Sequence, residues 1–212
     1  MTKTLSGLVA ASALLLASGA ASAAEKTFDF TDFDSVSVAA GVHAVIAAGA
    51  DYSVRAESSE EGLEKLEINV GGGKLRIGRK QSVSFFGRQP AITVHVAMPA
   101  LSALDISSGS TTEASSVAAG SFDLNGSSGA HATIKGECAA LDLDISSGAH
   151  IDAEDLKCKS ARANASSGGS ATLFASESLN ADASSGGLLT VHGAPTNVTT
   201  DKSSGGRVRL VR

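Results

Sequence analysis

The sequence predicts an all-β protein, a right-handed parallel β-helix of coils about 19–20 residues long with a β-rich N-terminal section. Three observations favour this solenoid. A Ser-Ser-Gly triplet recurs at spacings of 18 to 20 residues, apolar and polar residues alternate on both sides of it, and helical periodicity is absent there. The six triplets begin at Ser107, Ser127, Ser146, Ser166, Ser184 and Ser203.

Residues 1–23 have the pattern of a secretory signal peptide. Lys3 precedes the apolar run "LVAASALLLA" at 8–17, and "ASA" at 21–23 provides small residues for cleavage after Ala23. The run is shorter than the ~18–20 residues that span a bilayer. We therefore expect an exported protein without a membrane span, located in the periplasm, on the cell surface or outside a bacterial cell.

The net charge of the chain limits the kinds of molecule that it can bind. The 212 residues carry a net charge of −5. Removal of the signal peptide takes away Lys3 and no acid, which leaves 16 basic against 22 acidic residues and a net charge of about −6. This charge argues against a nucleic-acid partner. We expect one continuous domain over 24–212, composed of a β-rich section (24–100) and the Ser-Ser-Gly repeats (101–212).

The section before the repeats contains shorter stretches of alternation. They predict strands at 34–38, 43–47, 52–56, 66–70, 74–78 and 91–99. "GGG" at 71–73 indicates a hairpin turn, and "SSEEGLEKL" at 58–66 indicates a short helix with Ser58 and Glu61 in capping-box spacing. We expect this section to cover the first coil, since a solenoid end is otherwise an open edge.

Each repeat is predicted to be a strand, a corner, a second strand and a return segment. In "LDLDI" (141–145), the apolar residues alternate with acids, which is the pattern of a strand with one buried face. Gly permits the tight bend of the corner, and Ser fits such a bend. An array of nucleophilic serines is the alternative, but nothing in the pattern supplies a base beside each Ser.

An acid or amide stands two residues before every triplet. Equivalent residues on adjacent coils lie ~4.8 Å apart, and a file of carboxylates at that spacing would repel. Intervening amides can donate to the carboxylates, so we predict a hydrogen-bonded ladder. A calcium-binding file is the alternative, although the G-G-x-G-x-D pattern of such repeats is missing. The ladder consists of Asp105, Asn125, Asp144, Asn164, Asp182 and Asp201.

The two cysteines occupy equivalent positions in neighbouring repeats. Cys138 and Cys158 each stand eight residues before a triplet, so they are expected one strand spacing apart, within disulfide range. Export to an oxidising compartment favours the bond. Stacked reduced thiols are the alternative.

Two histidines are also equivalent. His131 and His150 each stand four residues after the first Ser of a triplet, and Asp152 follows two residues later. The pattern favours two surface histidines and no bound metal; the alternative is a weak Zn²⁺ or Cu²⁺ site of these three side chains.

The loop "QSVSFFGRQP" (81–90) carries the most conspicuous aromatic residues. Phe85 and Phe86 stand beside Arg88 in a chain of only 4% aromatics. The pair either plugs the top of the first coil or forms an exposed contact patch for a partner.

The chain resembles a known family in three stretches and in the recurring triplet. "FDSVSVAAGVHAVI" (33–46), "LEINVGGGKLRI" (66–77) and "MPALSALDISSGS" (98–110) are similar to the head GIN domain family of autotransporter adhesins. The resemblance covers nearly all of the mature chain. It implies a β-helical fold, export and no catalytic motif. Because the sequence ends at Arg212, we expect no outer-membrane barrel and no complete autotransporter.

We therefore expect a non-catalytic envelope or surface module that binds a glycan or a protein, without a cofactor, as a monomer or an oligomer. A polysaccharide-degrading β-helix enzyme is one alternative, although such sites need acids and a base in a groove built by long loops. A purely structural envelope protein is the other.

Overall fold

A computed structural model describes residues 24–80 and 89–211. Its strands join into one continuous sheet that winds into a β-solenoid, so the predicted fold class is confirmed. The elements are β1 (Ala24–Phe28), β2 (Ser35–Val38), β3 (His43–Ala48), β4 (Ser53–Ser58), α1 (Glu60–Lys65), β5 (Leu66–Gly71), β6 (Lys74–Arg79), β7 (Thr93–Met98), β8 (Ala103–Ile106), β9 (Thr111–Gly126), β10 (His131–Ile145), β11 (His150–Ala165), β12 (Ser170–Ala183), β13 (Leu188–His192), β14 (Asn197–Lys202) and β15 (Arg207–Leu210).

The strands β9 to β12 each run from one Ser-Ser-Gly corner to the next. Neighbouring coils pair in parallel, one repeat apart, so that Leu141 lies between Phe122 and Ala161. The register shifts near the middle of each long strand, as between Thr133 and Gly136. Each coil therefore has a segment before the corner, a segment after it, and a return segment.

The section before the repeats contributes two coils of its own. β2 pairs in parallel with β8 on one side and with β6 on the other, and β3 pairs likewise with β9 and β7. The coil of 35–48 therefore lies between the coil of 74–98 and the first repeat. Antiparallel β1, β4 and β5 cover the outer coil. This section therefore extends the solenoid by two coils beyond the first repeat.

The predicted hairpin and helix are both present, but the helix begins one residue later than the capping box indicates. β5 and β6 form the hairpin. Ser59 is the N-cap of α1, and its hydroxyl accepts a hydrogen bond from the Gly62 amide. The prediction of Ser58 as the cap is wrong, because its side chain is buried at the end of β4 and donates to the Ala91 carbonyl at 2.6 Å.

The core is a set of stacked inward columns. Residues one and three positions before each corner face inward. In the column three positions before the corners, Leu104, Leu124 and Leu143 of the first coils are fully buried. In later coils this column contains Ala163 and Ala181, whereas on the segments after the corners the large side chains of Leu173 and Val191 are buried.

Candidate functional site

The Ser-Ser-Gly triplets are corners, and the hydrogen bonds explain their composition. In "SSGA" at 146–149, Ser147 and Gly148 have φ of 52° and 70°, and the Ala149 amide donates to the Ser146 carbonyl at 3.1 Å. Two successive positive φ angles with this bond define a type I′ turn. The Gly148 amide donates to the Ser167 carbonyl of the next coil at 3.2 Å. The triplets thus hold coils together through the backbone.

A seventh corner precedes the six that the triplets mark. Ala40 and Gly41 have φ of 60° and 66°, and the Gly41 amide donates to the Ser108 carbonyl at 3.0 Å. Arg79 closes this end of the corner stack, since its Nε donates to the Ala40 carbonyl at 2.8 Å. Its Nη2 donates to the Pro90 carbonyl at 2.8 Å. Burial lowers the pKa of Arg79.

The sequence contains the signal for this corner, although the search for Ser-Ser-Gly missed it. "SVAAGVHAVI" (37–46) has apolar residues at the inward positions on both sides of Ala39-Ala40-Gly41, as the repeats do. A search for the pattern of alternation around any small-small-Gly triplet would have found it.

The predicted acid and amide side chains lie in one column, each beside its equivalent on the next coil. The Asn125 side chain donates to Asp105 at 2.9 Å, and that of Asn164 donates to Asp144 at 2.9 Å. Lys74 completes the first pair with an ion pair to Asp105 at 2.6 Å. The ladder is therefore a series of separate pairs. Asp182 and Asp201, at its C-terminal end, face each other directly.

Two shallow grooves follow this side of the solenoid, which we call the ladder face: the segments before the corners, with their outward side chains. One groove of about 580 Å³ runs between the ladder and the first serines of the corners. A second, of about 660 Å³, runs along the outward column two residues earlier, which contains Asp123, Asp142, Arg162, Asn180 and Thr199. Carboxylates, amides and hydroxyls line both grooves, and the Arg162 guanidinium lies in the second. They can exchange hydrogen bonds with a polar ligand.

His131 and His150 lie side by side on adjacent coils, with ring centroids 6.1 Å apart. The Nδ1 of His150 is 2.8 Å from the Ser170 hydroxyl. Asp152 pairs with Thr133 in the neighbouring column. Among residues 24–80 and 89–211, no three His, Cys, Asp or Glu side chains are grouped closely enough to hold a metal ion. We assign no metal ligands here.

The structure contains the expected disulfide. Cys138 and Cys158 pair in register on the return segments of β10 and β11, with their Cα atoms 4.5 Å apart. Both side chains are buried. The bond therefore joins two middle coils from within the core.

The signal peptide (1–23) and the candidate contact patch of Phe85, Phe86 and Arg88 lie outside the described residues. Over the described part of the chain, the search for an apolar helix of membrane-spanning length found none.

The fold and its faces define an all-β solenoid with polar outer grooves. The family described as "Putative auto-transporter adhesin, head GIN domain" matches residues 32–195. The chain belongs to this family, as the sequence resemblance indicated, and a search of curated proteins found no match.

Two crystal structures are similar to this chain in fold. A "putative adhesin" from Bacteroides fragilis NCTC 9343 has a TM-score of 0.68 and 12% identity, covering 90% of this chain and 97% of its own. A "putative adhesin" from Parabacteroides merdae ATCC 43184 has a TM-score of 0.52 and 14% identity, covering 92% and 98%. The likeness extends over the whole solenoid.

Proposed function

We propose that the protein is a non-catalytic adhesion module of the bacterial envelope or surface, and that its ladder face binds an extended glycan. The observation that carries this proposal is the pair of adjoining polar grooves that cross successive coils. The family is named for adhesion.

The periodicity of the ladder face suits a polymer. Equivalent side chains recur at each coil, about every 4.8 Å. The acid–amide pairs double this repeat to two coils, about 9.6 Å. A polysaccharide presents its hydroxyls at regular intervals, so one contact made at a coil can be repeated further along the groove. Many weak polar contacts then add up to useful affinity and to specificity for a repeating ligand.

Two acids of the ladder, Asp105 and Asp144, are held in a way that favours binding over catalysis. Asp105 is held between Lys74 and Asn125, and Asp144 accepts a hydrogen bond from Asn164. A general acid or base must be free to exchange a proton with the substrate. These carboxylates instead have fixed partners on neighbouring coils. They are suited to orient amides and hydroxyls on the surface.

Export is part of the proposal. The disulfide within the core is typical of proteins that fold in an oxidising compartment. We propose cleavage after Ala23, which leaves residues 24–212 as one continuous domain.

A glycan array and isolated cell envelopes test the proposal, using the exported protein with its disulfide intact. The informative variant is Asp142→Ala/Arg162→Ala/Asn180→Ala, because all three side chains are exposed on the ladder face. We expect retention of a glycan by the wild type and a loss of about tenfold in the variant.

The matched control is Glu137→Ala/Lys159→Ala/Ser176→Ala, which removes the same charges from exposed positions on return segments. It should bind like the wild type. Equal losses in both variants, or no glycan retained by the wild type above denatured protein, would contradict the proposal.

A further inference from the structure

All five histidines of the chain lie on one sheet, on its outward side. We call this surface the histidine face; it consists of β1, β4, β7, β3, the segments of β9 to β12 that follow the corners, β13 and β15, in that spatial order. Each histidine alternates with buried residues, so its ring faces outward. The five are His43, His95, His131, His150 and His192.

Two of these histidines stand beside carboxylates near the N-terminal end. The Nε2 of His43 on β3 is 3.7 Å from Glu113 on β9, and the register neighbours of His43 are Thr93 on β7 and Thr111 on β9. This Nε2 atom is shielded from solvent and has no hydrogen-bond partner. The Nε2 of His95 on β7 is 3.8 Å from Glu57 on β4.

His95 also has Arg55 of β4 and Val45 of β3 as register neighbours. Arg55 itself contacts Glu57 at 2.8 Å and Glu25 at 3.0 Å.

The third histidine with an acidic partner is at the other end of the face. The Nδ1 of His192 on β13 is 3.5 Å from Glu154 of β11, and Phe174 of β12 lies beside it. On the side of β13 that faces β15, the Val211 amide donates a hydrogen bond to the Val191 carbonyl, and Arg209 of β15 lies beside Thr190. A proton on any of these three imidazoles neutralises the adjacent carboxylate.

The remaining two histidines are the most exposed. His131 is flanked by Thr111 of β9 and by His150 of β11, with Glu113 and Asp152 on the diagonals. His150 has Ser170 of β12 on its other side. Both rings are therefore open to a ligand on the surface of the sheet.

The charge of the face therefore depends on the histidines. Its other outward charged side chains are six carboxylates and five cations, a net charge of −1, and five protonated imidazoles change it to +4. Histidine is the side chain that gains charge between about pH 8 and pH 5. The carboxylates are Glu25, Glu57, Glu113, Asp152, Glu154 and Asp155, and the cations are Arg55, Lys135, Lys157, Arg207 and Arg209.

We propose that the histidine face binds an anionic polysaccharide under mildly acidic conditions and releases it near neutral pH. Near neutrality the carboxylates repel a polyanion. In acid, three of them are paired with imidazolium groups, and His131, His150 and the arginines of β15 present positive charge across adjacent coils. The flat, repeating sheet matches the regular spacing of carboxylate or sulfate groups on such a polymer. This surface is separate from the ladder face, so the two proposals can fail independently.

Dextran sulfate is the probe, and uncharged dextran of the same length is its control. Binding of the full protein is measured at pH 5.5 and pH 7.5 at fixed salt. We expect affinity for dextran sulfate at least about tenfold higher at pH 5.5, and no binding of dextran at either pH. The variant His43→Gln/His95→Gln/His131→Gln/His150→Gln/His192→Gln should bind equally weakly at both.

Two smaller variants keep the test valid if the fivefold variant fails to fold. His131→Gln/His150→Gln changes only exposed side chains and should lose a large part of the pH dependence. Lys80→Gln/Lys159→Gln removes two exposed cations that lie on neither the histidine face nor the ladder face, and it should retain the pH dependence. Equal affinity at both pH values in the wild type, or loss of the pH dependence in this lysine control, would overturn the proposal. Tighter binding of duplex DNA than of dextran sulfate at pH 5.5 would overturn the assignment to a polysaccharide.

Discussion

The two ends of the solenoid are built differently. At the N-terminal end, antiparallel β1, β4 and β5 cover the outer coil, and Arg79 satisfies the last corner carbonyl. At the C-terminal end, every residue of β14 is exposed, and so are the apolar side chains of Leu210 and Val211. In the inward column three positions before the corners, Leu104 is replaced by Ala181 and then by the exposed Thr200.

The two ends show where the stability of a solenoid comes from. A coil is stabilised by the coils on both sides, so a terminal coil has half of the usual contacts unless other elements replace them. Among residues 24–80 and 89–211, antiparallel strands supply that replacement at the N-terminal end only. We therefore expect the free energy of local opening to be high near the N-terminal coils and to fall toward β14 and β15.

The largest difference in the cost of a Leu→Ala substitution should appear between two leucines at opposite ends of the solenoid. Leu104 is fully buried, whereas Leu210 is 48% exposed. Leu104→Ala should lower the free energy of unfolding by about 3 kcal/mol, because it leaves a cavity. Leu210→Ala should cost about 0.5 kcal/mol or less. Urea denaturation measures both; similar costs would mean that the C-terminal end is as well packed as the core.

The disulfide should contribute nearly as much to the free energy of unfolding as the Leu104 side chain does. Cys138→Ser/Cys158→Ser frees a 20-residue connection between the middle coils, and the loop-entropy relation gives a loss of about 3 kcal/mol. Thermal unfolding with and without reductant measures it. Reductant should destabilise the wild type and leave the double variant unchanged. A wild type that is insensitive to reduction would show that the bond adds no stability to the stack.

Arg79 should contribute somewhat less to the free energy of unfolding, through its contacts at the N-terminal end of the corner stack. Arg79→Gln removes charge-assisted hydrogen bonds to Ala40 and Pro90 and should cost about 1.5–3 kcal/mol of folding free energy. The control is Arg209→Gln on exposed β15, where we expect a change within about 0.5 kcal/mol. Equal effects in denaturant unfolding would argue that Arg79 does not close the corner stack.

The smallest expected change is a gain in stability at the C-terminal end of the solenoid. Asp182 and Asp201 are like charges directly opposite each other, and Asp201→Asn would extend the acid–amide pairing of the ladder. The free energy of unfolding should rise by about 0.5 kcal/mol at neutral pH, and the gain should shrink at 1 M salt. A loss of stability would show that the opposed carboxylates are not the weak point of the ladder.

Much of the repeat region could be predicted from the sequence because the relevant interactions recur at a fixed separation. The corner triplet, the ladder column and the disulfide all follow from aligning residues about one coil apart. The start of helix α1 could not be predicted from local sequence alone. Ser58 and Ser59 are both of a residue type that caps helices, and only the hydrogen bond of Ser58 to the Ala91 carbonyl decides between them.

The order of the first coils could not be predicted in this way. The coil of 35–48 lies between two coils that follow it in the chain, and this pairing depends on long-range contacts that a local period does not encode. The histidine face was missed for a related reason. His43 and His95 belong to coils without Ser-Ser-Gly corners, so only the observed register shows that His43 stands in the column of His131 and His150 and that His95 stands in the neighbouring column.

Native-state hydrogen exchange measures the predicted gradient along the stack most directly. Amides in the middle coils, β9 to β11, should exchange only through global unfolding, and those of β14 and β15 should exchange through local opening with a much smaller free energy. The covered coil of β6 and β7 should behave like the middle coils. Protection of β14 and β15 equal to that of β10, or rapid exchange in β6 and β7, would contradict a solenoid that is closed at one end and open at the other.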